Sequence, residues 1–294
     1  MAPRVNAELR TDAREALQGW EGEGWCARWY LRYARHFPAH PAKIRLFRWL
    51  GAALFPRGMP VVGFGGVRLS LDPLDYIGHE ICFSRAYEPL SIALARRLMA
   101  GGGTFLDVGS NFGLYTCPVA QVPGVECVAV DASAIAFAKL KDNLARNPAI
   151  AVRAVNVALA TQHGLVALET PVPGNLGTTR VSGPSSGERC QTSYVGAMPL
   201  DTLLDALSLR SIKLMKIDVE GYELEVFRGM DLMSPRRPEH IIMEYSKGLD
   251  SDWHDLRGCL ELLERHGYVA RAVTGEAFDP SRPLPEENLW WSLA

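Results

Sequence analysis

Apolar residues recur along this chain as short unbroken runs separated by segments of helical period. That is the pattern of strands buried on both faces of a parallel sheet and joined by crossover helices. The runs are Thr104 to Val108, Cys127 to Val130, Ala151 to Leu159, Leu214 to Ile217 and His240 to Glu244, with Tyr268 to Val273 and Leu289 to Leu293 as closing strands. Helices are expected from about Pro89, over Ala134 to Arg146 with a stop at Asn147-Pro148, from Leu200, around Leu224, Phe227 and Met230, and over Leu256 to His266. Pro60 to Leu71 carries hairpin chemistry, two apolar runs around Gly63, Gly65 and Gly66. Leu165 to Thr170 and Ser193 to Met198 read as strands flanking Pro171 to Thr192, a stretch rich in Gly, Pro, Ser and Thr. A structureless connection of that length is unusual in a compact domain and predicts a mobile substrate loop or disorder.

Residues 1–58 read as a separate, helical and loosely packed extension, and 59–294 as the main domain. Trp25, Trp29, Tyr30 and Tyr33 lie near helical spacing among Arg28, Arg32 and Arg35, until Pro38 and Pro41 break the pattern. Ile44 to Leu54 is a second amphipathic stretch. The extension is read as a cap over the active site, a surface for an acidic or sugar-bearing partner, or simple packing onto the main domain.

The chain is organised around Thr104 to Asp131, which reads as strand, glycine turn, helix and strand. The turn holds Gly109, Asn111 and Gly113, at the strand end where parallel sheets bind ligands. Gly109 and Gly113, lacking a Cβ, let the backbone turn tightly and approach a ligand. Asp131 closes the second strand beside that turn, where a carboxylate can accept both hydroxyls of a ribose. A dinucleotide loop, G-x-G-x-x-G, needs its second glycine where this chain has Asn111, so the loop suits a ligand without phosphates.

The segment DVGSNFGLY, Asp107 to Tyr115, resembles the first motif of the FkbM-like family of S-adenosylmethionine-dependent methyltransferases. The likeness extends to Asp72, Asp75 and Ile77, to Tyr87-Glu88-Pro89, to the Leu200-Asp201 element, and to Lys216-Ile217-Asp218-Val219-Glu220-Gly221 with Glu223. It implies a class I methyltransferase fold, an α/β Rossmann-like sheet of seven mostly parallel strands with helices on both faces. It also implies S-adenosylmethionine as cofactor and a hydroxyl of a sugar, glycan or natural product as acceptor. The cofactor residues it implies in the first half of the site are Glu88, Asp107, Gly109, Ser110, Asn111, Gly113 and Tyr115. Asp131 and Ala132, Asn156 to Ala158 (Asn156, Val157, Ala158) near the adenine, and Asp218 complete the set.

Methyl transfer to a hydroxyl needs alignment, exclusion of water and a base for the departing proton. Asp218, Glu220, Glu244 and His79 are the candidates, with Asp218 favoured because it ends a strand at the ligand-binding edge. The same residues have bland readings: Asp218 fixing the cofactor's amine, Glu220 capping the next helix, Glu88 as a helix-start carboxylate, and His79 as an ordinary histidine. Asp218, Glu220 and Glu244 offer oxygen ligands for Mg²⁺, but nothing in their spacing requires a metal, and none is expected. A nicotinamide-dependent oxidoreductase and an inactive cofactor-binding module are the alternative functions.

Composition changes this picture little. With 294 residues and 48% hydrophobic content there is material for a large core. A net charge of −2 gives no argument for nucleic acid or an anionic membrane. The charge is uneven, since residues 1–58 hold ten Arg or Lys against five Asp or Glu. Six scattered cysteines without a C-x-x-C pair suggest free thiols in a reducing compartment. The charged start lacks signal-peptide character, and no apolar run approaches a membrane span, so a cytoplasmic location is expected.

Overall fold

The computed structural model describes residues 19–171, 180–181, 190–245 and 253–294, so the first 18 residues and most of the expected loop from Pro171 to Thr192 lie outside the described residues. In chain order, strand β1 (Glu21–Gly22), helices α1 (Trp25–His36) and α2 (Lys43–Leu54), and the hairpin β2 (Met59–Gly63) and β3 (Val67–Leu71) come first. Helices α3 (Tyr76–Ser84) and α4 (Pro89–Leu98) follow. The main sheet then begins with β4 (Gly103–Val108), α5 (Thr116–Ala120), β5 (Val125–Asp131), α6 (Ala134–Ala145) and β6 (Val152–Asn156). A side sheet is built from β7 (Ala158–Leu159), β8 (Gly164–Pro171), β9 (Arg180–Val181) and β10 (Cys190–Met198). The chain closes with α7 (Leu200–Ala206), β11 (Leu214–Ile217), α8 (Glu223–Arg228), β12 (His240–Glu244), α9 (Trp253–Arg265), β13 (Tyr268–Ala272) and β14 (Asn288–Leu293).

The seven-stranded sheet has the order β13-β14-β12-β11-β4-β5-β6, and only β14 runs against its neighbours. This is the expected class I methyltransferase architecture. The crossovers proceed outward from β4 through β5 to β6, then return to β11 and β12 on its other side. The strand order therefore reverses between β4 and β11, which opens a crevice at their carboxyl ends. Alternate residues of each central strand feed two apolar layers. Phe105, Cys127, Leu214 and Ile242 pack with α4, α5 and the N-terminal elements, while Leu106, Val128, Met215 and Ile241 pack with α7, α8 and α9.

Three expectations are corrected. The N-terminal extension is not loosely packed: Trp20, Tyr30, Leu31 and Phe47 are fully buried and belong to the same apolar cluster as the hairpin and one face of the main sheet. The run Ala151 to Leu159 is two strands, because after Asn156 the chain leaves the main sheet and β7 pairs in parallel with β10. Within the expected loop, Arg180–Val181 is a strand that pairs with Leu168 and Glu169.

Asn143 on α6 and Asn147 just beyond its end stitch the hairpin to the main domain. Asn143 accepts from the Ser70 amide at 2.7 Å and donates to the Phe112 carbonyl at 2.8 Å, while Asn147 accepts from the Arg68 amide and donates back to its carbonyl. Asn143 thus ties an edge strand and the glycine turn to one buried amide. Asn143→Ala leaves both partners unsatisfied and is expected to lower stability by about 2–4 kcal/mol, read as a reduced urea midpoint at unchanged slope; an unshifted midpoint contradicts the assignment.

Candidate active site

A cavity of about 450 Å³ opens at the carboxyl ends of β4, β5, β11 and β12. Its first wall is the turn after β4. Gly109 and Gly113 have φ of 79° and 94°, the left-handed region that glycine enters without strain. The space a Cβ would fill is occupied by the protein itself, by the Asp218 carbonyl 1.7 Å away at Gly109 and by the Leu140 side chain 2.8 Å away at Gly113. These glycines thereby let the turn pack against the end of β11 and against α6, and Gly109 also lines the cavity. Asn111 also takes a left-handed conformation, φ 47°, which asparagine tolerates better than most residues.

Asp131 is buried at the end of β5, where its Oδ2 accepts the Asn111 amide at 2.7 Å and its Oδ1 the Ser133 amide at 2.8 Å. Burial pushes its carboxyl up to about 6, against the pull of those two amides. Each oxygen retains a lone pair for a further donor. Beside it, Ser110 Oγ and Asn111 Oδ1 are buried without a hydrogen-bond partner. Buried polar atoms are nearly always satisfied, so these are open positions for a polar ligand. Ala132, Val130, Val157, Ala158 and Leu159 supply an apolar wall that suits a flat heterocycle. The cavity thus combines a carboxylate, orphaned polar atoms and an apolar slot, which fit a nucleoside.

Opposite this wall lies a buried cation. Lys216 is 2% exposed, and its Nζ donates to Asp218 Oδ2 and Asn288 Oδ1, both at 3.2 Å, while sitting 5.2 Å from the Tyr115 ring centroid. Burial alone would lower its pKa, but Asp218, Glu88 and Glu244 outweigh it and the ammonium stays protonated. Glu88 accepts from the Tyr115 hydroxyl at 2.6 Å. Burial raises the Glu88 carboxyl, with Lys216 opposing. Burial, then the Asp218 charge, holds the Glu244 carboxyl well above the usual range. Asp107, also buried against the cavity, accepts from the Thr116 hydroxyl and is pushed up to about 7 by burial.

Other carboxylates hold the frame. Glu286 accepts the amides of Leu90 and Ser91 at 2.7 and 2.8 Å, so the start of α4 is capped from the far end of the chain. Glu88 occupies the N-cap position of α4 but makes no side-chain cap there; its carboxylate turns instead to the Tyr115 hydroxyl. Glu223, rather than Glu220, reaches back to the Val219 amide at 2.9 Å and orders the turn after β11. Glu220 faces the cavity with φ 55°.

The cavity gathers Asp218, Glu220 and Glu244 of the expected catalytic set, and Glu88, Asp107, Gly109, Ser110, Asn111, Tyr115, Asp131, Ala132, Val157 and Ala158 of the expected cofactor set. His79 lies elsewhere: its ring packs against Phe47 and Phe83, at 5.4 and 4.5 Å, and burial lowers its pKa. Gly113 and Asn156 do not line the cavity either; Asn156 donates to the Asp131 carbonyl at 2.8 Å and so secures the end of β5. Sequence reasoning missed Lys216 as a site residue, together with Asn288, Glu286 and Tyr76. For Lys216 a signal existed, a charge inside an otherwise apolar strand run. Among the described residues no group of three or more His, Cys, Asp or Glu is placed to hold a metal ion.

The FkbM methyltransferase domain matches residues 107–270, more than half of the chain. Similar curated proteins include the hexuronic acid methyltransferase AglP of Haloferax volcanii, 28% identical over 145 residues that cover 49% of this chain and 56% of AglP. The methyltransferase sdnD of Sordaria araneosa is 28% identical over 156 residues, 43% of this chain and 60% of its own. The chain thus spans little more than half the length of these two relatives. Among solved structures, an O-methyltransferase from Bacillus cereus in complex with SAH aligns with TM-score 0.43 at 13% identity over 90% of this chain and 96% of its own. S-adenosylmethionine is the cofactor this family uses, and the nicotinamide reading is set aside. The chain belongs to the FkbM methyltransferase-domain family.

Proposed function

We propose that this methyltransferase acts on a hydroxyl oxygen of a sugar, glycan or natural product. The observation that carries the reading is the pair of carboxylates Asp218 and Glu244 that line the cavity, with Asp218 3.2 Å from the Lys216 ammonium. A hydroxyl must lose its proton as it gains a methyl group, and a carboxylate at the cavity is equipped to take it. AglP, by its name, methylates a hexuronic acid, which supports a sugar-like acceptor.

S-adenosylmethionine, when bound, supplies a sulfonium methyl, and the neutral thioether left behind needs no acid. In this reading Asp131 receives the ribose hydroxyls, Ala132, Val157 and Ala158 bracket the adenine, and Ser110 and Asn111 offer their unpartnered oxygens. Glu88 and Tyr115 orient the methionine end, while Asp107 and Gly109 shape the wall between. Asp218 accepts the acceptor's proton, Glu244 tunes it, and Glu220 stands on the acceptor side. Residues 1–58 are taken as a helical extension and 59–294 as the catalytic domain; six free cysteines support a reducing, cytoplasmic setting. No helix among the described residues is long and apolar enough to cross a membrane.

Two outcomes are expected. Asp131→Ala weakens S-adenosylhomocysteine binding by about 1.5–3 kcal/mol, as for hydrogen bonds to a charged group; an unchanged dissociation constant removes Asp131 from the ribose. Because Glu244 holds its proton above the usual carboxylate range, the pair becomes a better acceptor as pH rises. With hexuronic acid glycosides as acceptors, kcat is expected to climb about tenfold per pH unit until that proton is lost, and Glu244→Gln to flatten the climb. Tight S-adenosylhomocysteine binding without transfer to any hydroxylated acceptor would instead favour an inactive binding module.

A further inference from the structure

Between Gly24 and Arg57 the chain carries seven Arg or Lys side chains and no Asp or Glu, although the protein as a whole is slightly acidic. The same stretch holds seven of the fourteen large apolar side chains exposed among the described residues. Helix α1 turns Ala27, Tyr30, Leu31 and Ala34 to the core, which leaves Trp25, Arg28, Trp29, Arg32 and His36 as one outward stripe at helical spacing. Trp25 is 73% exposed and Trp29 45%, and Phe37, 57% exposed, extends the stripe along a shallow groove. Helix α2 buries only Phe47 and Gly51 and presents Trp49, 63% exposed, among Arg45 and Arg48.

An ordinary solvated helix face mixes both signs of charge and exposes tryptophan rarely. Tryptophan and arginine together, with aliphatic Ile44, Leu46 and Leu54 also exposed, match the boundary between lipid headgroups and acyl chains. The uniform positive charge selects an anionic partner. The aliphatic side chains distinguish a bilayer from an acidic sugar polymer, which offers them nothing to bury against.

We propose that α1 and α2 form a peripheral docking surface for an anionic lipid bilayer. The surface is coupled to the active site through α3, whose first residues, Tyr76 and Ile77, line the cavity. Arg35 of α1 donates to the Ile81 and Cys82 carbonyls of α3, both at 3.1 Å, and to the Trp20 carbonyl at 2.8 Å. The docked face and the cavity wall are thereby one helix apart.

The test sediments the full chain with phosphatidylcholine vesicles, with and without a minority of phosphatidylglycerol, while following tryptophan emission. Expected are binding and a blue shift only with phosphatidylglycerol, loss of binding in high salt, and at least a roughly tenfold weaker partition for Arg28→Glu with Arg32→Glu. Trp25→Ala with Trp29→Ala also weakens binding, at an unchanged thermal midpoint. Absence of sedimentation with either vesicle overturns the proposal, as does equal binding by the charge-reversed variant. Capture of a soluble acidic polysaccharide in place of vesicles, or a dimer in light scattering that Trp25→Ala with Trp29→Ala dissociates, assigns the face to another partner and equally overturns it.

Discussion

An ammonium group taken out of water among carboxylates is tolerable only while each side neutralises the other, and this constraint fixes the centre of the molecule. Lys216 projects from a strand buried on both faces, 3.2 Å from Asp218 and from Asn288. Glu88 arrives from the start of α4, Glu244 from the end of β12 and Asn288 from the start of β14. Segments distant in sequence therefore converge on one charge, and desolvation makes their separation costly. The same convergence leaves two carboxylates, Asp218 and Glu244, facing the cavity. Stability and chemistry draw on one arrangement.

Backbone strain is concentrated at the same place. Of the six described non-glycine residues with positive φ, Glu88, Asn111 and Glu220 line the cavity. Each is held by a neighbour that is not itself a reacting group. Glu286 caps the helix that follows Glu88, Asp131 fixes the Asn111 amide, and Glu223 orders the turn around Glu220. Left-handed residues persist where the surroundings over-determine them, and here the surroundings are carboxylates accepting backbone amides.

The central strands and the two glycine and acidic turns were legible in the sequence, because burial on both faces leaves unbroken apolar runs and each run ends in chemistry. The short helix Tyr76–Ser84 was not, since Ile77, Gly78 and Ile81 are poor helix formers and its stability comes from packing on α1. The side sheet was half legible: its long strands alternate, but the jump from Asn156 to Ala158 between sheets leaves no mark in an apolar run. His79 looked chemical by residue type alone, and its environment is aromatic. Lys216 stood out only as a charge inside an apolar run, and the partners that give it a role, Glu88 and Asn288 among them, lie far away in sequence.

The most direct measurement is urea unfolding of Lys216→Met beside the parent protein at neutral pH. Removal of the ammonium leaves Asp218 and Glu88 at the cavity without their counter-charge, and the expected loss is at most about 3–5 kcal/mol, shrinking at acidic pH as those carboxyls protonate. Stability that is unchanged, or raised by the apolar side chain, would contradict the claim that this one cation holds the site together.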